Sequence, residues 1–329
     1  MASRLQIPLQ PVDSLQITTL VENTYDVFMP DQGPAHRKGP DPAMPRVAAS
    51  TMVDRFVPDQ LIAEHGFSLL LTLTIGKQIH RLLFDCGVSP NGMVENMRRL
   101  SIDPTAIEAI VCSHGHFDHT TGLDGLIQRL GRRNLPVMIH PDFWNRRRVT
   151  ILGRAPLELP TTSRQALEEA GFTVIEERQP SFLFENAVLI TGEVDRTTGY
   201  EPGFPIQQAW RNGNWQPDPL VLDDQAIVLH VKDKGLVVIT GCGHAGIINI
   251  TRYVRALTGD GSLYAVIGGF HLNGPLFEPL IERVCADLSA MNPGLVIPAH
   301  CTGWRAQHAM ARVFGDRFIP NAVGTRFDL

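Results

Sequence analysis

Apolar and polar positions along the chain alternate between two periods, and the switches between them mark out elements. Residues 16–21 alternate and are rich in β-branched side chains, which predicts a first strand. Residues 67–75 and 78–84 read as paired strands around a turn at Gly76-Lys77. A helical pattern over 91–100 precedes Pro104 and the apolar run 107–112, which reads as a short buried strand. Further along, 122–130 predicts a helix stopped at Gly131, 136–139 a strand, and 162–170 a helix closed by Gly171. Short strands follow at 172–176, 182–184 and 188–191. The runs 226–231 and 236–239 form a hairpin through Lys232-Asp233-Lys234-Gly235. Helices at 246–257, 279–291 and 304–314 then interleave with strands at 263–267 and 295–298, and 318–323 reads as a final edge segment.

Two stretches break the pattern. Between 26 and 56 lie Pro30, Pro34, Pro40, Pro42 and Pro45 with Gly33 and Gly39, a composition that forbids regular structure. A long irregular insert just ahead of the first candidate site residues is read as a flap over the mouth of that site. The stretch 195–219 carries Tyr200, Phe204, Trp210 and Trp215 among glycines and prolines. It reads as a substrate loop, its aromatics either walling the site or pinning the loop to the body of the fold. The whole chain, 1–329, is taken as one domain of two strand-rich halves with helices outside, without an internal sequence repeat.

Composition narrows the classes. Hydrophobic residues make up 43% and charged residues 19%, so a large core can form. A net charge of −5 gives no electrostatic reason to expect a nucleic-acid partner, and the triplet Arg146-Arg147-Arg148 reads as solvated surface on a helix. Five scattered cysteines do not make a disulfide framework. No signal-like segment or membrane-length apolar run is present, so the expectation is a cytoplasmic protein without a membrane partner. Oligomeric state is left open.

The densest chemistry is Ser113-His114-Gly115-His116-Phe117-Asp118-His119, directly after the run 107–112. His114 and His116 stand two apart, so extended backbone puts both imidazoles on one side. Asp118 and His119 follow once the chain turns. Three imidazoles and a carboxylate within six residues suit a divalent transition metal, and are more than one ion needs from one segment. The pattern predicts a centre for two ions.

The order His114-x-His116-x-Asp118-His119 resembles the signature of the metallo-β-lactamase superfamily. Further pieces are similar to a branch of metal-dependent hydrolases that includes archaeal dihydropterin-methyl-ribofuranosylaminobenzene-phosphate synthase. They are Glu64-His65-Gly66-Phe67-Ser68, Leu83-Phe84-Asp85-Cys86-Gly87, Thr240-Gly241-Cys242-Gly243-His244-Ala245-Gly246, Gly268-Gly269-Phe270-His271 and Pro298-Ala299-His300-Cys301-Thr302-Gly303. The resemblance implies an α/β four-layer αβ/βα sandwich with the site along one edge of paired sheets. It implies that Asp85 supports the metal ligands from behind, that His300 is the last ligand, and that Cys242 stands where a bridging aspartate is usual, either as a thiolate ligand or as a buried thiol beside the site. His244, two residues on, is a further ligand candidate. No histidine lies between His140 and His230, where the superfamily supplies a third imidazole for the first metal, so Glu193 is the candidate substitute.

The expected assignment puts His114, His116 and His244 on one metal and Asp118, His119 and His300 on the other. Two zinc ions are expected, with manganese or iron as alternatives. Asp118 would orient the attacking water and His271 would contact substrate or donate a proton. The implied activity is metal-dependent hydrolysis of a small phosphoester, ester or lactone. Alternatives are a synthase joining a pterin to an arylamine, an iron-dependent oxygenase or oxidoreductase, and a non-catalytic metal-binding module.

Overall fold

The computed structural model describes residues 6–259 and 261–329. Two large sheets carry the chain. The first runs edge to edge Thr173–Glu176, Pro136–Ile139, Ala109–Val111, Gln78–Phe84, Ser68–Ile75, Ser14–Val21, Arg326–Asp328 and Ala35–His36. The second runs Ser181–Leu183, Val188–Ile190, Ile227–Val231, Gly235–Thr240, Leu263–Gly269 and Leu295–Ala299.

Central strands of both sheets are apolar on both faces because each face is covered. In Ser68–Ile75, Leu69, Leu71 and Leu73 point into a core shared with Val237, Ile239, Ile267 and Ile297 of the second sheet. Leu70 points the other way, toward Met93, Met97 and Leu126 on the helices Gly92–Arg99 and Leu123–Leu130. The second sheet repeats this with Leu236, Val238 and Val266 against Ile248, Val254, Leu288 and Met310 on the helices Ile247–Thr258, Ile281–Ala290 and Trp304–Phe314. Helices, sheet, sheet, helices: the layers form an αβ/βα sandwich, as expected.

Strands Gln78–Phe84, Ala109–Val111 and Pro136–Ile139 run parallel, as do Gly235–Thr240, Leu263–Gly269 and Leu295–Ala299. In such sheets the crevice beyond the carboxyl ends is where side chains from separate strands converge. Asp85, the 113–119 segment, Cys242, His244, His271 and His300 all follow those ends.

Several sequence expectations are corrected. The insert 26–56 is not without regular structure: Ala35–His36 pairs with Arg326–Asp328, and Arg46–Ala48 pairs with Phe56–Pro58. The stretch 195–219 contains strands Gln207–Arg211 and Asn214–Pro217, joined by Asn212-Gly213 with both residues at positive φ. That turn is a hairpin signal which the surrounding aromatics and prolines obscured. The basic triplet is not on a helix. Arg147–Val149 is a strand that pairs with Gln207–Arg211 and Leu157–Leu159 in a four-stranded sheet. The last strand is Arg326–Asp328, which crosses to the first sheet beside Ser14–Val21, while 318–323 adds only a bridge from Phe318 to Val296. No helix among the described residues is long and apolar enough to cross a membrane.

Leu71 is fully buried between the sheets. Leu71→Ala is expected to lower unfolding free energy by about 2–5 kcal/mol through lost burial and a cavity. Urea denaturation followed by circular dichroism checks this.

Candidate metal centre

The loop after Ala109–Val111 is tied down by one carboxylate. Asp85 Oδ1 accepts from the Ser113 backbone N–H at 2.7 Å, and Asp85 Oδ2 accepts from Ser113 Oγ at 2.7 Å. The same Oδ2 lies 2.7 Å from His119 Nδ1. Asp85 sits at φ 57°, a conformation seldom used by a residue with a side chain. Gly241 of the second sheet presses against this knot: a Cβ there would lie 2.0 Å from Ser113 Oγ, so only glycine fits.

These contacts dictate where the imidazole protons sit. Asp85 can only accept, so His119 carries a proton on Nδ1 and points Nε2 toward Cys242 Sγ, 3.2 Å away. Ser113 Oγ has donated to Asp85, so it accepts from His114 Nδ1 at 2.9 Å, leaving the His114 Nε2 lone pair free. Gln207 Nε2 donates to Asp218 Oδ2 at 3.0 Å, which turns Gln207 Oε1 to His116 Nε2 at 2.5 Å and leaves the His116 Nδ1 lone pair free. His114 Nε2 and His116 Nδ1 then face each other at 2.9 Å, with His244 Nε2 3.3 Å from the latter. Lone pairs of buried nitrogens aimed at one another are unfavourable without a positive charge between them.

A second group adjoins the first. Asp118 Oδ2 is 3.3 Å from His300 Nε2, 3.8 Å from His119 Nε2 and 3.9 Å from His65 Nε2. Cys242 belongs to three donor groups whose ligand atoms lie within 4.8 Å of one another: with His114 and His119, with His244 and His271, and with His300 and Cys301. It therefore stands between the two imidazole sets. His271 and His300 both adopt positive φ, near 45° and 48°. His244 Nδ1, His271 Nδ1 and His300 Nε2 are buried without a hydrogen-bond partner. Imidazole nitrogens, a thiol and a carboxylate are a donor set suited to zinc, iron or manganese, and the unpaired inward nitrogens fit such an ion.

Electrostatics divides the cluster. Burial, reinforced by the Arg147 charge, lowers His116 to about 4. Burial and the neighbouring imidazoles hold His114 and His244 well below the usual histidine value, so these three rings are neutral donors. His119 goes the other way: burial depresses it, but Asp85 and Asp118 outweigh that and raise it to about 9. Burial works against the Asp118 carboxylate, yet His119 and His300 hold it below the usual carboxylate range. Burial, with Cys301 adding to it, lifts the Cys242 thiol well above its normal value.

The structure thus brings His114, His116, Asp118, His119, Cys242, His244, His271 and His300 together, with Asp85 behind them. Glu193 is not among them. Its carboxylate is held by His140 Nε2 at 3.1 Å and Arg178 Nη1 at 2.7 Å, and it is absent from every donor group among the described residues. His244, from the other sheet, has a ring nitrogen within 4.8 Å of donor atoms of His114 and His116. His271, expected to contact substrate, also lies within ligand range of Cys242 and His244.

Other participants were not anticipated. His65, 70% exposed, stacks near His300 at 4.9 Å between ring centroids; it was present in the quoted Glu64–Ser68 stretch, but no pattern distinguished it. Glu22 is buried and accepts from the His300 backbone N–H at 3.0 Å and from Asn321 Nδ2 at 3.0 Å, fixing the His300 strand end. Arg147 is the major correction to the idea of a solvated basic triplet. It is buried and pairs with Asp223 and, at 3.5 Å, with Asp218. Asp223 in turn accepts from the Gly115 N–H at 2.8 Å. The cleft over the cluster encloses about 200 Å³, and its walls come from Phe117, Val149, Leu159 and Phe204, with nothing from 26–56. Of the four loop aromatics only Phe204 faces the histidines; Tyr200 donates to Asp287, and Trp210 packs on Trp215.

Fold and site together define the metallo-β-lactamase fold with a histidine-rich centre. A family model, the beta-lactamase superfamily domain, matches residues 80–179. The chain is 28% identical over 264 residues to the 7,8-dihydropterin-6-methyl-4-(beta-D-ribofuranosyl)-aminobenzene-5'-phosphate synthase of Methanocaldococcus jannaschii, covering 78% of this chain and 87% of that one. It is 29% identical over 274 residues to an uncharacterized protein of the same organism, covering 83% and 96% respectively. A crystal structure described as a metal-dependent hydrolase of the beta-lactamase superfamily superposes with TM-score 0.69 at 23% identity, covering 96% of this chain and 99% of that one. The resemblance seen in the motifs extends over most of the chain.

Arg147→Met leaves Asp223 buried without its cation, while Asp218 keeps Arg211 at 2.8 Å. It is expected to cost about 3–5 kcal/mol of stability, read from chemical denaturation midpoints.

Proposed function

We propose that the protein is a metal-dependent enzyme of hydrolase type, acting on a small phosphoester, ester or lactone at the histidine cluster. The observation carrying this reading is the pair of inward lone pairs on His114 Nε2 and His116 Nδ1, 2.9 Å apart, with His244 Nε2 3.3 Å from the latter. In this reading those three rings hold one divalent ion, and Asp118, His119 and His300 hold a second, with Cys242 between. Bound divalent ions would acidify water to a pKa of about 7 and polarise the substrate oxygen. Two zinc ions are the proposed complement, with iron or manganese as the alternatives.

The chain's own groups do the rest. Asp85 keeps the proton of His119 on Nδ1, and Gln207 keeps that of His116 on Nε2, so ring orientation is set before substrate arrives. In this reading Asp118, held as a carboxylate by His119 and His300, orients the attacking water. In this reading His271, with its ring centroid 4.3 Å from that of His244, passes a proton to the leaving group. Phe204 stacks on His244 at 5.4 Å and shields the rings from bulk water. A small-molecule substrate suits a cleft of about 200 Å³.

Testing requires phosphoester, ester and lactone panels with added Zn²⁺, Mn²⁺ or Fe²⁺. His116→Ala is expected to lose on the order of 100-fold in kcat/KM and to bind less metal by elemental analysis. Equal turnover by wild type and variant, or by metal-stripped protein, counts against the reading.

A second reading is favoured by one relative being named a synthase that joins a pterin to an aminobenzene ribotide. Here the same cluster would activate a transfer. Incubation with a pterin diphosphate and an arylamine acceptor distinguishes the two, a coupled product by mass spectrometry marking the synthase and free pterin alcohol the hydrolase.

A further inference from the structure

A cleft of about 380 Å³ lies away from the histidines and shares no lining residue with their cleft. It is bounded by strand Ser14–Val21, the end of helix Gly92–Arg99, the C-terminal strand Arg326–Asp328 and the insert around 36–38. Arg37, Lys38, Arg99 and Arg326 line it together with His36, and no acidic residue does. The carboxylates that pair with these groups, Asp31, Asp41, Asp59, Glu95 and Asp328, stand outside the lining. Gln16, Thr18 and Ser101 add neutral hydrogen-bonding groups to the wall.

Two of the cations are held in place from behind. Arg37 donates through Nη1 to Thr325 Oγ1 at 2.7 Å and through Nη2 to the Pro320 carbonyl at 2.8 Å. Arg99 donates through Nε to Asp59 Oδ1 at 2.8 Å, while its buried Nη1 has no hydrogen-bond partner and only a 3.5 Å ion contact to Glu95. Lys38 and Arg326 are tethered loosely, to Asp41 at 3.5 Å and to Asp328 at 3.2 Å, with side chains 35% and 50% exposed. Pairs this exposed contribute little and readily exchange for a better anion. His36 lies between Asp31 and Asp328, at 3.3 and 3.4 Å. The helix Gly92–Arg99 points its carboxyl end here, but the N–H groups of Leu100, Ser101 and Ile102 occupy its last carbonyls at 2.9, 3.1 and 2.8 Å.

We propose that this cleft binds a small molecule carrying phosphoryl groups, at a site separate from the histidine cluster. Guanidinium forks suit phosphate oxygens, and cations from three separate parts of the chain surround the space. The volume is that of a small-ligand pocket, and its polar lining distinguishes it from an apolar one. Occupancy would also clamp the insert to the body, because Ala35–His36 is paired to the first sheet only through Arg326–Asp328.

The test is calorimetric titration of the full chain with inorganic diphosphate, with sulfate at matched ionic strength as the comparison. Wild type is expected to bind one diphosphate per chain with Kd below about 1 mM, and sulfate more weakly. The double variant Lys38→Gln/Arg326→Gln is expected to raise Kd at least about tenfold. His116→Ala is expected to leave it unchanged, which keeps this site's outcome independent of the metal reading. Absence of saturable binding by wild type overturns the proposal, as does equal affinity for sulfate. Binding that survives the double variant but disappears in His116→Ala also overturns it, by assigning the anion to the histidines.

Discussion

Ring nitrogens of His114, His116 and His244 converge inside the protein, with separations of 2.9 and 3.3 Å, and most of the local structure exists to hold them there. Left to itself such an arrangement would spring apart, since neutral imidazoles gain nothing from presenting acceptors to one another. It is maintained from outside. Ser113 and Gln207 occupy the outer nitrogens of His114 and His116, and Asp85 and Asp218 hold those partners in turn. The charge that completes the centre is what this scaffold is shaped to receive.

The outer layer is itself a buried ionic assembly. Arg147 neutralises Asp223 and shares Asp218 with Arg211; Asp218 orients Gln207, and Asp223 holds the Gly115 backbone between the two histidines. Its positive charge also helps keep His116 unprotonated. Burying these charges is unfavourable unless each is matched, so the strand Arg147–Val149 and the hairpin from Gln207 to Pro217 act as a unit with the 113–119 loop. The same small sheet supplies Val149 to the cleft wall, and the segment leading into it supplies Phe204. Support for the ligands and the shape of the substrate space are thereby coupled.

Much of this was legible in order. The period-2 and period-3.6 patterns locate nearly all the long strands and helices, because buried central strands and amphipathic helices must show them. His114, His116, Asp118 and His119 announce themselves by spacing within one segment. What escaped notice was built across segments. Glu193 fills the position where a ligand was sought, yet its carboxylate closes an ion pair with Arg178 and a contact to His140, neither predictable from its neighbours. Arg147 looked like one of three surface arginines because the carboxylates that bury it lie about seventy residues later. The short strands in 26–56 and 195–219 have two to five residues each, too few for periodicity to register.

Local sequence alone determined the order of most strands and helices, the strand ends on which chemistry sits, and the donor types grouped in residues 114–119. Apolar periodicity and ligand chemistry are properties of short stretches, so folding is not needed to see them. Tertiary structure alone decided which nitrogen of each ring is free, that Cys242 lies between the two imidazole sets, and that basic residues from three parts of the chain surround a second cleft. Those facts depend on distances between side chains tens to hundreds of residues apart, and only the packing of one sheet on the other sets such distances.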